Sequence, residues 1–270
     1  MKFIILQLLL SCLFVGATEV DVLNLPVPDL KKGNGTTLLS FFKDFFKKFD
    51  VNPTAPEGRY DLIIIGAGPA GESLAIAAKR IKKDLNVAVI EKVETFGGPS
   101  GLVSKAVREV AQSIYQTVSA LIPDLASKTR AEKLDLFKTI WQRDFKMLKD
   151  DAVNFQAVET MMKFKKHGVE VYVGEVTIKK PDGASPKIVV KVRSGNAYVE
   201  QELISTNLCI ATGSTPNRPA TLNSVAIPWG HDRMLDSIKI GNLDQLPVSL
   251  GIIGGGVIAA EYGESCRIPL

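Results

Sequence analysis

The segment from Arg59 to Arg80, RYDLIIIGAGPAGESLAIAAKR, constrains the fold of this 270-residue chain more than any other feature. The apolar run from Leu62 to Ile65 predicts a buried strand, and the stretch from Pro69 to Lys82 predicts a helix. A second apolar strand is predicted from Val87 to Ile90. A strand, a helix and a second strand in this order form a parallel pair with a crossover helix. The sequence therefore predicts an α/β fold with a parallel central sheet.

Three glycines shape the turn between the first strand and the helix: Gly66, Gly68 and Gly71 form the pattern GxGxxG. The first glycine permits a tight turn, the second lets the backbone approach a pyrophosphate, and the third lets helix and strand pack closely. Free N–H groups and a partial positive charge at the helix N-terminus favour phosphate. The pattern predicts a dinucleotide site. The alternative is a glycine turn that serves packing alone.

Glu91 ends the second strand, twenty residues after Gly71. An acid at this position can accept hydrogen bonds from ribose hydroxyls, and it favours an unphosphorylated ribose, as in FAD or NAD. A second glycine pattern, Gly254, Gly256 and Ala259, follows a predicted strand beginning at Leu250 and opens a predicted helix over 257–266. Two such units indicate two nucleotides, and hence hydride transfer between a nicotinamide and a flavin.

The first 17 residues predict a signal peptide, with Lys2 before an apolar core and cleavage after Ala17. An uncleaved signal anchor is the alternative. The signal predicts the secretory pathway, with the protein in the lumen or secreted, or a plastid reached through a bipartite signal.

Residues 18–58 predict an N-terminal extension. Within it, TLLSFFKDFFKKF at 37–49 predicts an amphipathic helix. We favour docking of this helix on the following domain over contact with a membrane surface or a partner.

Composition argues against two classes of function. The net charge of +4 comes without a basic stripe carrying interleaved aromatics, so no nucleic-acid partner is predicted. Short lysine clusters such as 163–167 are interpreted as solvated helix faces. The three cysteines and two histidines lack metal-ligand spacing, so no metal site is predicted.

The rest of the chain predicts further helices and a small antiparallel layer. Helices are expected over 103–122 and across 130–166. Short strands are expected at 169–173, 187–193, 197–203 and 208–211, with a turn at 181–183. We place a nucleotide-binding domain at 59–247 and the start of a second Rossmann-like domain at 248–270.

Six motifs in order make a family resemblance specific: IIIGAGPAGESLAIAA, VAVIEK, GG…SKA, IATGSTPNRP, DS…LP and LGIIGGGVIAAEYG. Over about residues 60–263 the chain resembles the FAD-dependent pyridine nucleotide-disulfide oxidoreductases. That family includes dihydrolipoamide dehydrogenase, glutathione reductase, mercuric reductase and soluble pyridine-nucleotide transhydrogenase. The resemblance implies FAD in the first, Rossmann-like unit and NAD or NADP in the second.

The resemblance also implies site residues. Val176 corresponds to the position where the backbone meets adenine, and Lys105 to a lysine near the reactive flavin nitrogen, paired with Glu261. Two solvent-facing helix charges are the alternative for that pair. The remaining cofactor-binding candidates are Gly66, Ala67, Gly68, Pro69, Ala70, Gly71, Glu91, Lys92, Gly98, the turn Ala211-Thr212-Gly213, and Gly254, Gly256 and Ala259.

The chain departs from the family pattern in two ways. The stretch between Gly98 and Ser104 is about four residues shorter than in disulfide reductases and has no cysteine, so dithiol chemistry at this position is excluded. A replacement redox pair of Cys209 and Cys266 is disfavoured.

The second departure is length. Family members continue past this point and dimerise through a further domain, so we expect a truncated chain without that domain. Three interpretations remain: an FAD-dependent oxidoreductase fragment with an unknown small-molecule acceptor, a non-catalytic flavin- or nucleotide-binding module, or an inactive truncated paralogue.

Overall fold

A computed structural model describes residues 58–93, 96–140, 145–179, 187–194, 197–243 and 247–267. The predicted signal peptide, the predicted helix at 37–49 and the predicted turn at 181–183 lie outside the described residues. Two compact units emerge from the contacts within the chain. The described part of the first, called the sheet unit, comprises residues 58–99 and 154–214. That of the second, called the helical unit, comprises residues 100–153 and 215–267.

The sheet unit contains the predicted β-α-β arrangement. Strand β1 (Arg59–Ile65) is followed by helix α1 (Pro69–Ile81) and strand β2 (Val87–Glu91). The two strands pair in parallel, with Leu62 opposite Val87. Strand β3 (Glu170–Lys179) extends the parallel sheet beside β2, and strand β5 (Ala197–Ile210) extends it beside β1. The α/β fold with a parallel central sheet is therefore confirmed.

The antiparallel layer is built from continuations of two of these strands. Beyond Val173, β3 leaves β2 and pairs with strand β4 (Lys187–Ser194), which pairs in turn with the first part of β5. These pairings close the five strands into a small barrel.

The prediction of two separate strands at 197–203 and 208–211 is wrong, because residues 197–210 form the single strand β5. The strand stays continuous because its two parts have different partners: Ile204 pairs with Lys187 of β4 on one side and with Arg59 of β1 on the other. Backbone groups on both sides of the expected break are therefore engaged.

Neighbouring side chains on a strand point to opposite faces of a sheet. Because consecutive residues of these strands are apolar, both faces of the parallel sheet are apolar. One face packs on α1 and on the second half of helix α4 (Lys146–His167), through buried residues including Ile64, Val89, Ala75, Met161 and Phe164. The other faces the antiparallel layer, through Tyr60, Ile63, Ala88, Ile90, Tyr172, Ile188 and Leu203. The sheet is thus buried on both sides, as expected of parallel strands.

The helical unit contains helix α2 (Pro99–Leu121) from Ser100 onward, a 3-10 turn (Leu125–Ser127), helix α3 (Arg130–Ile140) and the start of α4. A hairpin follows, formed by the two-residue strands β6 (Thr221–Leu222) and β7 (Val225–Ala226). The unit ends with helix α5 (Ser237–Ile240) and helix α6 (Val257–Arg267). Its core gathers Val107, Val110, Ala111, Ile114, Val118, Leu125, Phe137, Phe145, Leu148 and Tyr262.

The strand expected to begin at Leu250 does not form. Residues 250–255 form no strand, and Ile253 is 73% exposed, although α6 forms where the sequence predicts a helix. A strand needs a neighbour for its backbone groups, and none of the described residues pairs with this segment. Within the part of the chain that the structure describes, no helix is both long and apolar enough to span a membrane.

Candidate dinucleotide-binding site

The glycine turn lies where β1, β2 and β5 end together. The amide of Gly66 donates to the carbonyl oxygen of Ile90 at 2.7 Å, and the amide of Ala211 donates to that of Ile65 at 2.8 Å. Gly66 has φ +107°, and a Cβ there would lie 2.3 Å from the Ala211 carbonyl oxygen. A side chain is therefore excluded by backbone conformation and by space. The first glycine of the motif is required by the fold itself.

Protein packing excludes a side chain at the third glycine of the motif, Gly71, but not at the second, Gly68. A Cβ on Gly71 would lie 1.9 Å from the carbonyl oxygen of Gly66, so only glycine lets α1 pack this closely on the turn. A Cβ on Gly68 would meet nothing nearer than the Cα of Gly98, at 3.6 Å, which is ordinary contact. Protein packing does not explain Gly68. The fingerprint does, because its second glycine leaves space for a pyrophosphate.

The N-terminus of α1 has the character of an anion site. Gly68 is its N-cap residue and provides no capping side chain, and Pro69 opens the first turn. The first amide groups of a helix lack intrahelical partners and lie at the positive end of its dipole. A phosphate group placed here would satisfy them. The observed turn and helix therefore fit the diphosphate of a dinucleotide.

Glu91 binds the turn directly. Its Oε2 accepts a hydrogen bond from the amide of Ala67 at 2.7 Å, and its Oε1 accepts one from the amide of Lys92 at 2.9 Å. Ala67 is fully buried. A carboxylate has about four lone-pair sites, so two remain available for ribose hydroxyls. The sequence predicted a ribose acceptor; it did not reveal that the same carboxylate holds the glycine turn in place.

The adjacent glycines Gly97 and Gly98 contact the turn. The amide of Gly97 donates to the Ala67 carbonyl oxygen at 2.9 Å, and a Cβ on Gly98 would lie 3.0 Å from Cδ of Pro69. Both glycines have positive φ, +92° and +80°. The predicted site residue Gly98 is thus beside the turn. Gly97, absent from the prediction, contributes a hydrogen bond, and the doubled glycine was the signal for it.

Other predicted residues of the sheet unit lie around the strand ends. Lys92 forms an exposed ion pair with Glu175 at 3.1 Å, a pairing that the sequence did not reveal. Val176 is partly buried against the core under the antiparallel layer. In the turn after β5, Ala211 is partly buried, whereas Thr212 and Gly213 are exposed and Gly213 has φ +72°.

Lys105 and Glu261 belong to the helical unit, and the structure gives each a partner other than the predicted one. The Lys105 ammonium lies 3.8 Å from Glu109, one turn further along α2. The Glu261 carboxylate lies 4.0 Å from Arg108. The Lys105–Glu261 pair is therefore not formed, since a nearer carboxylate sits on the lysine's own helix. Arg108 was not among the predicted residues.

The second glycine pattern also lies in the helical unit. Gly254 and Gly256 are exposed, and a Cβ at either would meet nothing within 4 Å, although Gly254 has φ +113°. Ala259 is partly buried on α6. The two cysteines of the described chain fall in different units, Cys209 in the sheet unit and Cys266 in the helical unit, where burial raises the pKa of the Cys266 thiol.

Sequence comparison identifies the family of the chain. A profile of the family described as pyridine nucleotide-disulphide oxidoreductase matches residues 60–267. The chain belongs to this family. Its members are FAD-dependent, and they generally use NAD(P) as well.

Individual relatives agree with the profile. A soluble pyridine nucleotide transhydrogenase of Chromohalobacter salexigens is 32% identical over 212 residues, which cover 76% of this chain and 40% of the relative. A protein of the same description from Stutzerimonas stutzeri is 27% identical over 210 residues, with the same coverage. The chain thus spans about two fifths of the length of these relatives.

Structural comparison finds the same fold. The Cu(II) complex of a cysteine-to-serine mutant of RclA from Escherichia coli, an HOCl-induced flavoprotein disulfide reductase, superposes with a TM-score of 0.51 at 22% identity. The match covers 78% of this chain and 40% of the RclA chain.

Proposed function

We propose that this chain is the FAD-binding part of an FAD- and NAD(P)-dependent oxidoreductase that transfers hydride without a bound redox disulfide. One observation carries the proposal. Within the glycine turn, the fold requires Gly66 and Gly71 for its own packing, but not Gly68, where an added Cβ would make only ordinary contact. A ligand that brings a pyrophosphate against this backbone explains the glycine at position 68.

The residues present would divide the binding of FAD among them. The amides of the first turn of α1 would bind the diphosphate, and Glu91 would accept from the ribose while it continues to hold Ala67. The turn Ala211-Thr212-Gly213 adjoins the same strand ends. Bound FAD would supply the two-electron carrier that the side chains lack.

The acceptor is proposed to be a small molecule and not a protein-bound disulfide. No cysteine occurs between Gly98 and Ser104. Thiolate attack needs a thiol. The similarity to soluble pyridine nucleotide transhydrogenases supports this proposal.

A second candidate function is flavin or nucleotide binding without catalysis. The exposed segment 251–257 favours it, because Ile253 and Val257 are 73% and 72% exposed and the strand predicted from Leu250 does not form. On this alternative FAD binds but NAD(P)H does not reduce it.

The test is an absorbance spectrum of residues 18–270 after reconstitution with FAD, before and after anaerobic addition of NADH or NADPH. Flavin bands that bleach support the oxidoreductase, and bands that persist support the binding module. Protein that is soluble but takes up no FAD contradicts both. A C209S/C266S variant provides the control for thiols: it should bleach at the same rate as the parent chain.

A further inference from the structure

The C-terminal ends of α1 and α4 form a basic surface in the sheet unit. We call it the basic end and define it as Lys79, Arg80, Lys82, Lys83, Lys165, Lys166 and His167. The sequence shows two separate lysine clusters, each interpretable as a solvated helix face. The fold brings them together because both helices run alongside each other before entering the neighbouring strands β2 and β3.

Contacts show that the two clusters are one surface. The Lys79 ammonium donates to the carbonyl oxygen of Leu85 at 2.8 Å, and it would lie 3.7 Å from a Cβ on Gly168, just past α4. Burial, and next the charges of Arg80 and Lys166, lower the pKa of His167. Charges on α1 and on α4 therefore act on the same imidazole. Deeper along the helices, Glu72 of α1 accepts from Thr160 at 2.7 Å and from Lys163 at 2.9 Å, which fixes their alignment.

The basic end has more positive charge than helix termini need. Cations in the last turn compensate a helix dipole, but the effect fades beyond that turn, and Lys82 and Lys83 follow the end of α1. Asp84 lies 3.8 Å from Lys82, and Asp61 accepts from the amide of Asn86. The cationic side chains of Arg80, Lys83 and Lys166 are all exposed. The surface therefore has an excess of cations.

An apolar side chain lies among these cations. Ile81, the last residue of α1, is 87% exposed and is flanked in sequence by Arg80 and Lys82. An exposed isoleucine contributes little to binding a phosphodiester backbone, which is bound mainly through charge. A lipid surface uses both parts, since headgroups attract the cations and the interfacial region accepts the apolar group.

From this arrangement we infer that the basic end is a docking surface for a membrane carrying anionic lipids. It lies at the edge of the parallel sheet where β2 and β3 begin, whereas the glycine turn lies where β1 and β2 end. Docking here leaves the dinucleotide site on the opposite edge. The inference does not depend on the proposed function, because it rests on a different surface.

Cosedimentation with vesicles tests the inference. The probes are vesicles of phosphatidylcholine alone and of phosphatidylcholine with phosphatidylserine, mixed with the full chain. The variant R80Q/K83Q/K166Q should bind the anionic vesicles about 100-fold more weakly, since each cation near a membrane surface contributes about fivefold. I81Q should weaken binding by about tenfold without changing the salt dependence.

The matched control is R233Q/K138Q/K179Q, which removes the same charge from exposed positions elsewhere. It should bind like the parent chain. The inference is overturned if the two triple variants bind equally, whether because residues 37–49 carry all the binding or because net charge alone matters. It is also overturned if labelled duplex DNA binds at concentrations where anionic vesicles do not. Thermal melting of each variant confirms that it is folded.

Discussion

At the residue scale, Gly71 is required for packing, whereas Gly68, three residues earlier, is explained by ligand binding. G71A places a Cβ 1.9 Å from a carbonyl oxygen, whereas G68A makes only ordinary contact. We expect G71A to lower the free energy of unfolding by about 1–3 kcal/mol, the usual cost of overpacking. G68A should leave it within about 0.5 kcal/mol and weaken FAD binding at least tenfold. Urea denaturation without FAD and fluorescence titration with FAD measure the two effects. Equal loss of stability in both variants would contradict this interpretation of Gly68.

Glu91 should contribute to stability even without ligand. The variant E91A leaves the buried amide of Ala67 without its acceptor, and an unsatisfied buried donor costs about 1–3 kcal/mol. E91Q retains one side-chain oxygen that can accept from Ala67, so it should lose less stability than E91A. The comparison of the two by urea denaturation, in the absence of FAD, separates the structural role from ribose binding. If E91A unfolds like the parent chain, the carboxylate does not hold the turn.

At the scale of elements, the start of α4 carries a buried carboxylate with unfavourable surroundings. Asp151 is buried, and burial, followed by the charge of Asp150, raises its pKa from 3.8 to about 6. The folded state therefore binds more protons than the unfolded state between about pH 4 and 6, so stability falls as pH rises through this range.

The variant D151N should remove this pH dependence. We expect it to be more stable than the parent chain at pH 7, by roughly 1.4 kcal/mol for each unit of the shift in pKa. Near pH 4 the two should be equal. Urea denaturation at pH 4, 5, 6 and 7 provides the measurement, with D135N at an exposed position of α3 as control. A constant difference across the range would show that Asp151 does not titrate with folding.

At the scale of the whole molecule, several exposed apolar side chains of the described residues lie near the second glycine pattern: Val248, Ile252, Ile253, Val257 and Ile258. Ile253 and Val257 are 73% and 72% exposed, whereas Ile63 in the sheet core is fully buried. Exposed apolar patches promote association. We expect I253S/V257S to keep the parent's free energy of unfolding and to reduce self-association in light scattering. I63S should unfold the sheet unit, because it places a hydroxyl in an apolar core. If I253S/V257S destabilises the chain as much as I63S does, this segment is part of a core in solution.

The sequence by itself determined the β-α-β unit and its glycine turn. Alternation of apolar runs, glycines and helical spacing are local signals, and they placed β1, α1, β2, α2 and α6 close to their observed bounds. Local motifs also predicted that Gly66, Gly68, Gly71 and Glu91 belong to one site. Motif spacing sufficed because these residues lie at the ends of neighbouring parallel strands.

Only the tertiary structure decided contacts between residues distant in sequence. It joined two expected strands into β5 by giving each part a partner, and it left the segment after Leu250 without one among the described residues. It also paired Lys105 with Glu109 and Arg108 with Glu261, and brought the lysines of α1 and α4 onto one surface. The physical reason is common to all: pairing, charge and burial depend on distances in space, which local sequence patterns do not contain.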